Sequence, residues 1–282
     1  MTVDIRAAVA LLDGEALPTA LILLVAGVLG ALIGSFLNVV IWRVPRGESI
    51  VRPGSACPQC GRAIAWYDNL PVVSYLVLRG RCRHCATHIS ARYPLVELGT
   101  GIAFAIVVWG ALVGTYPAAI LPLLLYWASI GIALALIDLD HHRLPNVITL
   151  PAYIVTAVLA VAASVLLGEY GRLLTAAAGF ALLGGFYLLL AVAYRGGMGL
   201  GDVKLAGSLG LLLGWLGWPQ LVVGGFSAFV IGGIVGVVLM VAGRAGRKSR
   251  LPFGPFMLLG SWVGVFAGPA IAGFYLSATG LA

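Results

Sequence analysis

The sequence predicts an all-α, polytopic membrane protein with about eight transmembrane helices and one small polar insert between helices 1 and 2. Two observations predict this class. Hydrophobic residues make up 61% of the 282-residue chain and charged residues only 10%, whereas a soluble domain carries about 25% charged residues. The apolar residues also gather in runs, at about 19–42, 95–113, 117–137, 147–167, 172–194, 203–217, 219–242 and 253–277. A helix needs about 20 such residues to cross a bilayer. The bilayer is therefore the main solvent of this chain.

The first run is expected to be retained as a helix. Residues 1–18 hold Asp4, Asp13 and Glu15 against a single Arg6. That is the wrong sign for the basic start of a signal peptide, and the run that follows is too long for its apolar part. The other runs carry many of the 39 glycines. Small residues let membrane helices approach closely, where packing rather than hydrophobicity drives association. The run at 203–217 is the shortest and holds Gly207, Gly210 and Gly214, which leaves a tilted, broken or partly re-entrant path open to it.

Charge gives an expected orientation. The formal net charge is +7, but the basic residues lie beside the apolar runs, a topology signal rather than the footprint of a nucleic-acid binder. With eight spans and the N-terminus outside, fifteen of the seventeen Lys and Arg fall in segments 43–94, 138–146, 195–204 and 243–250. Only Arg6 and Arg172 fall on the other side. The positive-inside rule then puts those four segments in the cytosol and both termini outside.

Segment 43–94 is the only sizeable polar stretch. About 50 residues build a poor core without a staple such as a metal or disulfides. All four cysteines lie here, as Cys57-Pro58-Gln59-Cys60 and Cys82-Arg83-His84-Cys85, with 21 residues between the pairs. That spacing is close to the pattern of four-cysteine zinc sites. Each pair presents two thiolates to one tetrahedral metal, and Gly61 suits the tight turn after the first. A closed shell of four thiolates leaves no position for water or substrate, so the expected zinc is structural. Disulfides are disfavoured on the cytosolic side. With the shell full, His84 and His88 are expected at the surface. The organisation is thus a tail and first helix over 1–42, a zinc-binding insert over 43–94 and a membrane core over 95–282.

Only ten residues are Asp or Glu, and two of them stand where acid is least expected. Asp138 follows the third run, in Ile137-Asp138-Leu139-Asp140, ahead of Pro145, which disfavours helix at the residue before it. Asp202 follows Gly197-Met198-Gly199-Leu200-Gly201 and begins the next helix but two. A carboxylate at the edge of a membrane helix is costly and usually has a function or a partner. Helix parity brings both to the same side of the membrane. Two close carboxylates do not both ionise easily and share a proton. One then serves as base toward a water while the other polarises a carbonyl. The pair titrates as a unit, so neither role is assigned to one residue. Gly197, Gly199 and Gly201 permit close backbone approach, as an extended peptide beside Asp202 requires. Lys204 is either an interfacial anchor or a charge partner of the pair.

Plainer readings compete. An Asp at a helix N-terminus favours the helix dipole without further purpose. The glycines do not form a nucleotide loop, because no strand precedes them. Asp138, Asp140, His141 and His142 are a weak metal set, since adjacent helical residues point to different faces. An acidic pair in a membrane also suits a proton- or ion-coupled transporter, and the cysteines alone suit a membrane-anchored zinc-ribbon scaffold.

Several segments together resemble the prepilin peptidases, or type IV leader peptidases, of bacterial inner membranes. They are Gly34-Ser35-Phe36-Leu37-Asn38-Val39-Val40-Ile41-Trp42-Arg43-Val44-Pro45, the two cysteine pairs, Tyr93-Pro94-Leu95-Val96-Glu97, Ile137-Asp138-Leu139-Asp140 with Leu144-Pro145-Asn146, Gly197 to Lys204, and Pro252-Phe253-Gly254-Pro255-Phe256. The resemblance implies an aspartic membrane protease of the G-x-G-D class, with Asp138 and Asp202 in the places of the catalytic acids. It implies cleavage of the basic leader of type IV prepilins and secretion pseudopilins at the cytosolic membrane interface. It further implies methylation of the new N-terminal amine by S-adenosylmethionine, since the cysteine insert belongs to the bifunctional pattern. Glu97 is a polar candidate for the methyl-transfer site. Some members carry Asp where this chain has Asn146.

Overall fold

The computed structural model describes residues 19–193, 198–244, 246 and 251–281. The tail 1–18, Gly197 of the expected approach loop, and Arg195, Arg247, Lys248 and Arg250 of the topology count lie outside the described residues. Eight long helices are present among the described residues. They are α1 Thr19–Arg43, α2 Arg92–Leu112, α3 Leu121–His141, α4 Asn146–Leu167, α5 Gly171–Ala193, α6 Leu200–Leu216, α7 Trp218–Val241 and α8 Gly254–Thr279. Seven of them are long and apolar enough to cross a membrane. The protein is a multi-pass membrane protein. The eighth, α6, has 17 residues, a length of about 25 Å at 1.5 Å per residue, against a hydrocarbon core of about 30 Å.

Two boundaries move relative to the sequence expectation, and both matter for the site. The expected third run stops at 137, but α3 continues to His141, so Asp138 lies in its final turn rather than beyond it. His142 ends the helix in the left-handed conformation, φ 51°, and donates its N–H to the Asp138 carbonyl at 2.8 Å. Pro145 then stands just before α4, and its carbonyl accepts from the amides of Ile148 and Thr149. Helix α2 begins at Arg92 rather than 95. Pro94 falls in its first turn, where an N–H has no intrahelical partner to lose.

The chain divides into two compact units. One comprises Thr115–Leu123 and Leu134–Ala282, and α6 is its centre. Eleven residues of α6, from Leu205 onward, are buried. The glycines that suggested a break instead make the packing face of an unbroken helix. Gly210 and Gly214 lie against the backbone of Gly179, Thr175 and Ala176 on α5, where any Cβ would strike main-chain atoms. Helices α7 and α8 pair in the same way, with Gly260 and Gly264 against Gly224 and Ala228. Such small-residue contacts let backbones meet in lipid.

The other unit runs to Gly114 and takes in Leu124–Ala133. Here α1 and α2 pack along a glycine seam. A Cβ at Gly30 would lie 2.7 Å from the Thr100 carbonyl oxygen, and one at Gly34 would lie 2.7 Å from the Glu97 Cα. The Asn38 amide donates to the Tyr93 carbonyl at 3.1 Å beside this seam. The insert between the two helices holds a five-residue helix, Val73–Val77, and two short hairpins closed by single bridges, Ala56 to Ala63 and Arg81 to His88.

Candidate functional site

In the first unit the side chain of Asp138 is 4% exposed. Its Oδ2 accepts the backbone N–H of Gly254 at 3.1 Å. Gly254 is the first residue of α8, where a backbone amide has no intrahelical acceptor, and its own is aimed at the carboxylate. A Cβ on residue 254 would come within 2.7 Å of that Oδ2, so only glycine brings the backbone this near. The helix start is held in turn by an aromatic cluster. Phe253 packs against Phe229, Tyr187 and Phe256, with ring centroids 5.2, 6.2 and 6.0 Å apart. Asp140, two residues on, is exposed. The structure therefore separates the two neighbouring acids, burying one.

Asp202 occupies the third position of α6. Its Oδ2 accepts the Gly199 N–H at 3.2 Å, and its own amide donates to the Gly199 carbonyl at 3.1 Å. The carboxylate thus does close the helix start, as the plainer reading expected. It does more, because it is close enough to Asp138 for the two charges to interact, and Tyr187 is near enough to sense it. Gly201 meets Leu144, whose Cβ a side chain there would approach to 3.2 Å, so this glycine seats the Leu144-Pro145-Asn146 turn against α6. Lys204 reaches the same turn, donating from Nζ to Asn146 Oδ1 at 2.8 Å. The Tyr153 hydroxyl from α4 donates to the Lys204 carbonyl. Two sequence motifs 58 residues apart are in this way knitted into one end of the unit.

In the second unit the four cysteines converge. Four sulfurs bound at about 2.3 Å to one tetrahedral zinc stand about 3.8 Å apart. The sulfurs of Cys57 and Cys85 are 3.8 Å apart, and all four lie within 4.8 Å of one another. The two hairpins repeat one design. In the first, the Cys57 amide donates to Arg62 and the Gly61 amide to the Cys57 carbonyl; in the second, the Cys82 amide donates to Thr87 and the Ala86 amide to the Cys82 carbonyl. The residue after each second cysteine is left-handed, Gly61 at φ 68° and Ala86 at φ 55°. Amides of Cys60 and Gln59 aimed at its sulfur lower the Cys57 thiol to about 6. Cys85 has the Thr87 amide in its favour, yet burial and the sulfurs of Cys82, Cys60 and Cys57 push it up to about 11. Four ligand sulfurs gathered this closely could hold one metal ion. His84 and His88 are exposed, and His84 pairs with Arg62 at 3.0 Å.

Glu97 is bonded to the insert. Its Oε2 accepts the Val72 N–H at 2.8 Å, with the Ser35 hydroxyl also bonded to the carboxylate. Val72 is held at φ 61°, a conformation that a β-branched residue adopts only under constraint. Ser35 also lines a cavity of about 300 Å³, with Phe36, Arg43, Val51, Ser55 and Asn69.

The comparisons with known proteins follow this architecture. The model of the bacterial peptidase A24 N-terminal domain matches residues 28–111, and that of the type IV leader peptidase family matches residues 123–239. A Burkholderia pseudomallei protein named prepilin leader peptidase/N-methyltransferase is 38% identical, over 93% of this chain and 89% of its own. The chain belongs to the type IV leader peptidase family. Proteins of that same name from Pseudomonas aeruginosa and Myxococcus xanthus are 34% and 41% identical, covering 89% and 79% of this chain and 92% and 65% of their own. No solved structure matches this chain.

Sequence reasoning toward this leader peptidase missed two residues of the site. Gly254 stood inside a quoted motif and at the edge of the 253–277 run, but a backbone amide carries no sequence signal. Tyr187 reads as one more apolar residue of a 23-residue helix, although it is 1% exposed and lies within range of the Asp202 charge.

Proposed function

We propose that this chain is a membrane aspartic endopeptidase that removes the basic leader of type IV prepilins and pseudopilins, with Asp138 and Asp202 as its catalytic pair. One observation carries the reading: two acids from α3 and α6 reach within range of each other's charge in one unit, one of them buried. In the reaction, one carboxylate takes a proton from water as the hydroxide adds to the scissile carbonyl. The other, protonated, hydrogen-bonds that carbonyl and then supplies a proton to the departing amide nitrogen. The carbon–nitrogen bond breaks, leaving a leader carboxylate and a new N-terminal amine. The amide of Gly254 keeps Asp138 in one orientation. The charge count supports a cytosolic position for this end of the bundle, in the inner membrane, where a basic leader would also lie.

The relatives' name supports a second activity, N-methylation of that amine. S-adenosylmethionine would supply the methyl group. The α1 and insert cavity fits such a donor in size, with Phe36 as an aromatic wall and Ser35 and Arg43 as polar contacts. Glu97 would act behind Ser35, fixing the wall rather than touching the donor. The four cysteines of the 43–94 insert would hold a structural zinc, and 95–282 would form the peptidase core.

Incubating the purified protein with a prepilin and S-adenosylmethionine, then weighing the product N-terminus, tests the reading. Leader loss with one added methyl is expected. Intact prepilin would return the acidic pair to an ion-relay role, and leader loss without methylation would leave the peptidase alone.

Two substitutions probe the support around the pair. Gly254→Ala is expected to lower kcat for cleavage by about 10–100-fold with KM and melting temperature little changed, because displacing a catalytic group by about 1 Å costs of that order. A parallel loss of melting temperature would point to packing instead. Asn146→Asp should keep wild-type cleavage, since Lys204 pairs with a carboxylate as readily as with the amide oxygen.

A further inference from the structure

The insert exposes a run of large apolar side chains that no part of the proposed reaction uses. Within twelve residues, Trp66, Tyr67, Leu70, Val73, Leu76 and Val77 are all exposed, Trp66 at 79%, Leu76 at 67% and Val77 at 69%. The segment is built rather than loose. Val73, Leu76 and Val77 share one face of a helical turn, while Ser74 on the other side is buried. The Ser74 hydroxyl donates to the Tyr67 carbonyl at 2.9 Å and accepts the Leu70 amide at 3.0 Å. Asp68 is fixed by Arg83 through contacts of 2.6 to 3.0 Å. An apolar patch held outward by polar bonds behind it marks a docking surface.

Two observations identify what it docks on. The first is depth. The Val72 N–H is bonded to Glu97, the sixth residue of the spanning helix Arg92–Leu112, about 7.5 Å along it at 1.5 Å per residue. The patch is thereby tied alongside the first turns of a membrane helix. The second is charge. Residues 43–94 carry eight Arg against Glu48 and Asp68 alone, and Arg62, Arg79, Arg81 and Arg83 are exposed. Aromatic and aliphatic side chains in an arginine-rich insert, with Arg83 over the Tyr67 ring at 5.5 Å, at the end of a span, complement an anionic headgroup layer.

We infer that Trp66–Val77 docks into the headgroup layer of the bilayer that α1 and α2 cross, with anionic lipid as its partner. The insert then rests on the membrane instead of projecting from it. Membrane spanning is the only other reading it depends on; the peptidase activity is not involved.

The test uses the full chain in nanodiscs, with the photo-reactive residue benzoylphenylalanine at Leu76 and, in a second preparation, at Val77. Both positions are exposed, and a limited-proteolysis pattern equal to wild type reports an intact insert. Irradiation is expected to give a lipid adduct at both positions, with yield rising severalfold when phosphatidylglycerol joins phosphatidylcholine. No lipid adduct, or one indifferent to phosphatidylglycerol, overturns the inference. So does capture of a second copy of the chain, or of an added prepilin in place of lipid.

Discussion

Asp138→Asn and Asp202→Asn are each expected to lower leader cleavage by about 10³-fold, the usual scale for removing a general acid or base. The choice of Asn isolates the chemistry. Asp202 accepts the Gly199 amide and Asp138 accepts the Gly254 amide, and an Asn carbonyl oxygen can take over either bond. The start of α6 and the join to α8 therefore survive, and the melting temperature should stay near wild type. Asp140→Asn, on an exposed neighbour, should cleave as wild type does. Cleavage rates on one prepilin, measured with each variant in the same detergent, decide the matter. Near-normal cleavage by either of the first two variants would remove the pair from the mechanism. The Asp202 variant also separates the two jobs of that residue, since a residue that only capped its helix would lose nothing here.

Much of this site was legible before any coordinates. Two carboxylates in an apolar chain, each at a helix edge, stand out because a charge there is costly. Which of Asp138 and Asp140 belonged to the pair was not legible from charge or spacing. That depends on α3 running on to His141, which turns Asp138 inward and leaves Asp140 outside. A hydropathy run ends where polarity begins, whereas a helix ends where its hydrogen bonds do, here at the left-handed His142. The glycines of 203–217 left a break open for a related reason. In water they would weaken a helix, but in a membrane bundle Gly210 and Gly214 are the contact surface. Gly254 was hidden altogether, because what it contributes is a backbone amide. Glu97 was noticed as a polar residue, yet its partner Val72 lies 25 positions upstream in an irregular turn.

The second large effect concerns the insert. Between Val44 and Ala91 only Cys57, Ser74 and Gly80 are buried, so this stretch has almost no hydrophobic core of its own. Its order must come from its ends, through the helices that bracket it, and from its centre, where four sulfurs gather within 4.8 Å. A structural zinc site supplies about 10–16 kcal/mol to a small domain, far more than the few exposed ion pairs here could, each worth about 1 kcal/mol or less. Cys57→Ser and Cys82→Ser are accordingly expected to lose the metal and to open residues 44–91 to limited proteolysis. The transmembrane helices, whose glycine seams do not involve the insert, should stay protected in the same digest. Elemental analysis of the purified variants reports the zinc directly. A variant without zinc whose insert still resists protease would show that the helices alone hold it, and that the cysteines do something other than fold it. Opening the insert should also release Val72 from Glu97, and with it the wall of the cavity beside Ser35. Methyl transfer to a pre-cleaved pilin should then fall along with zinc content, variant by variant.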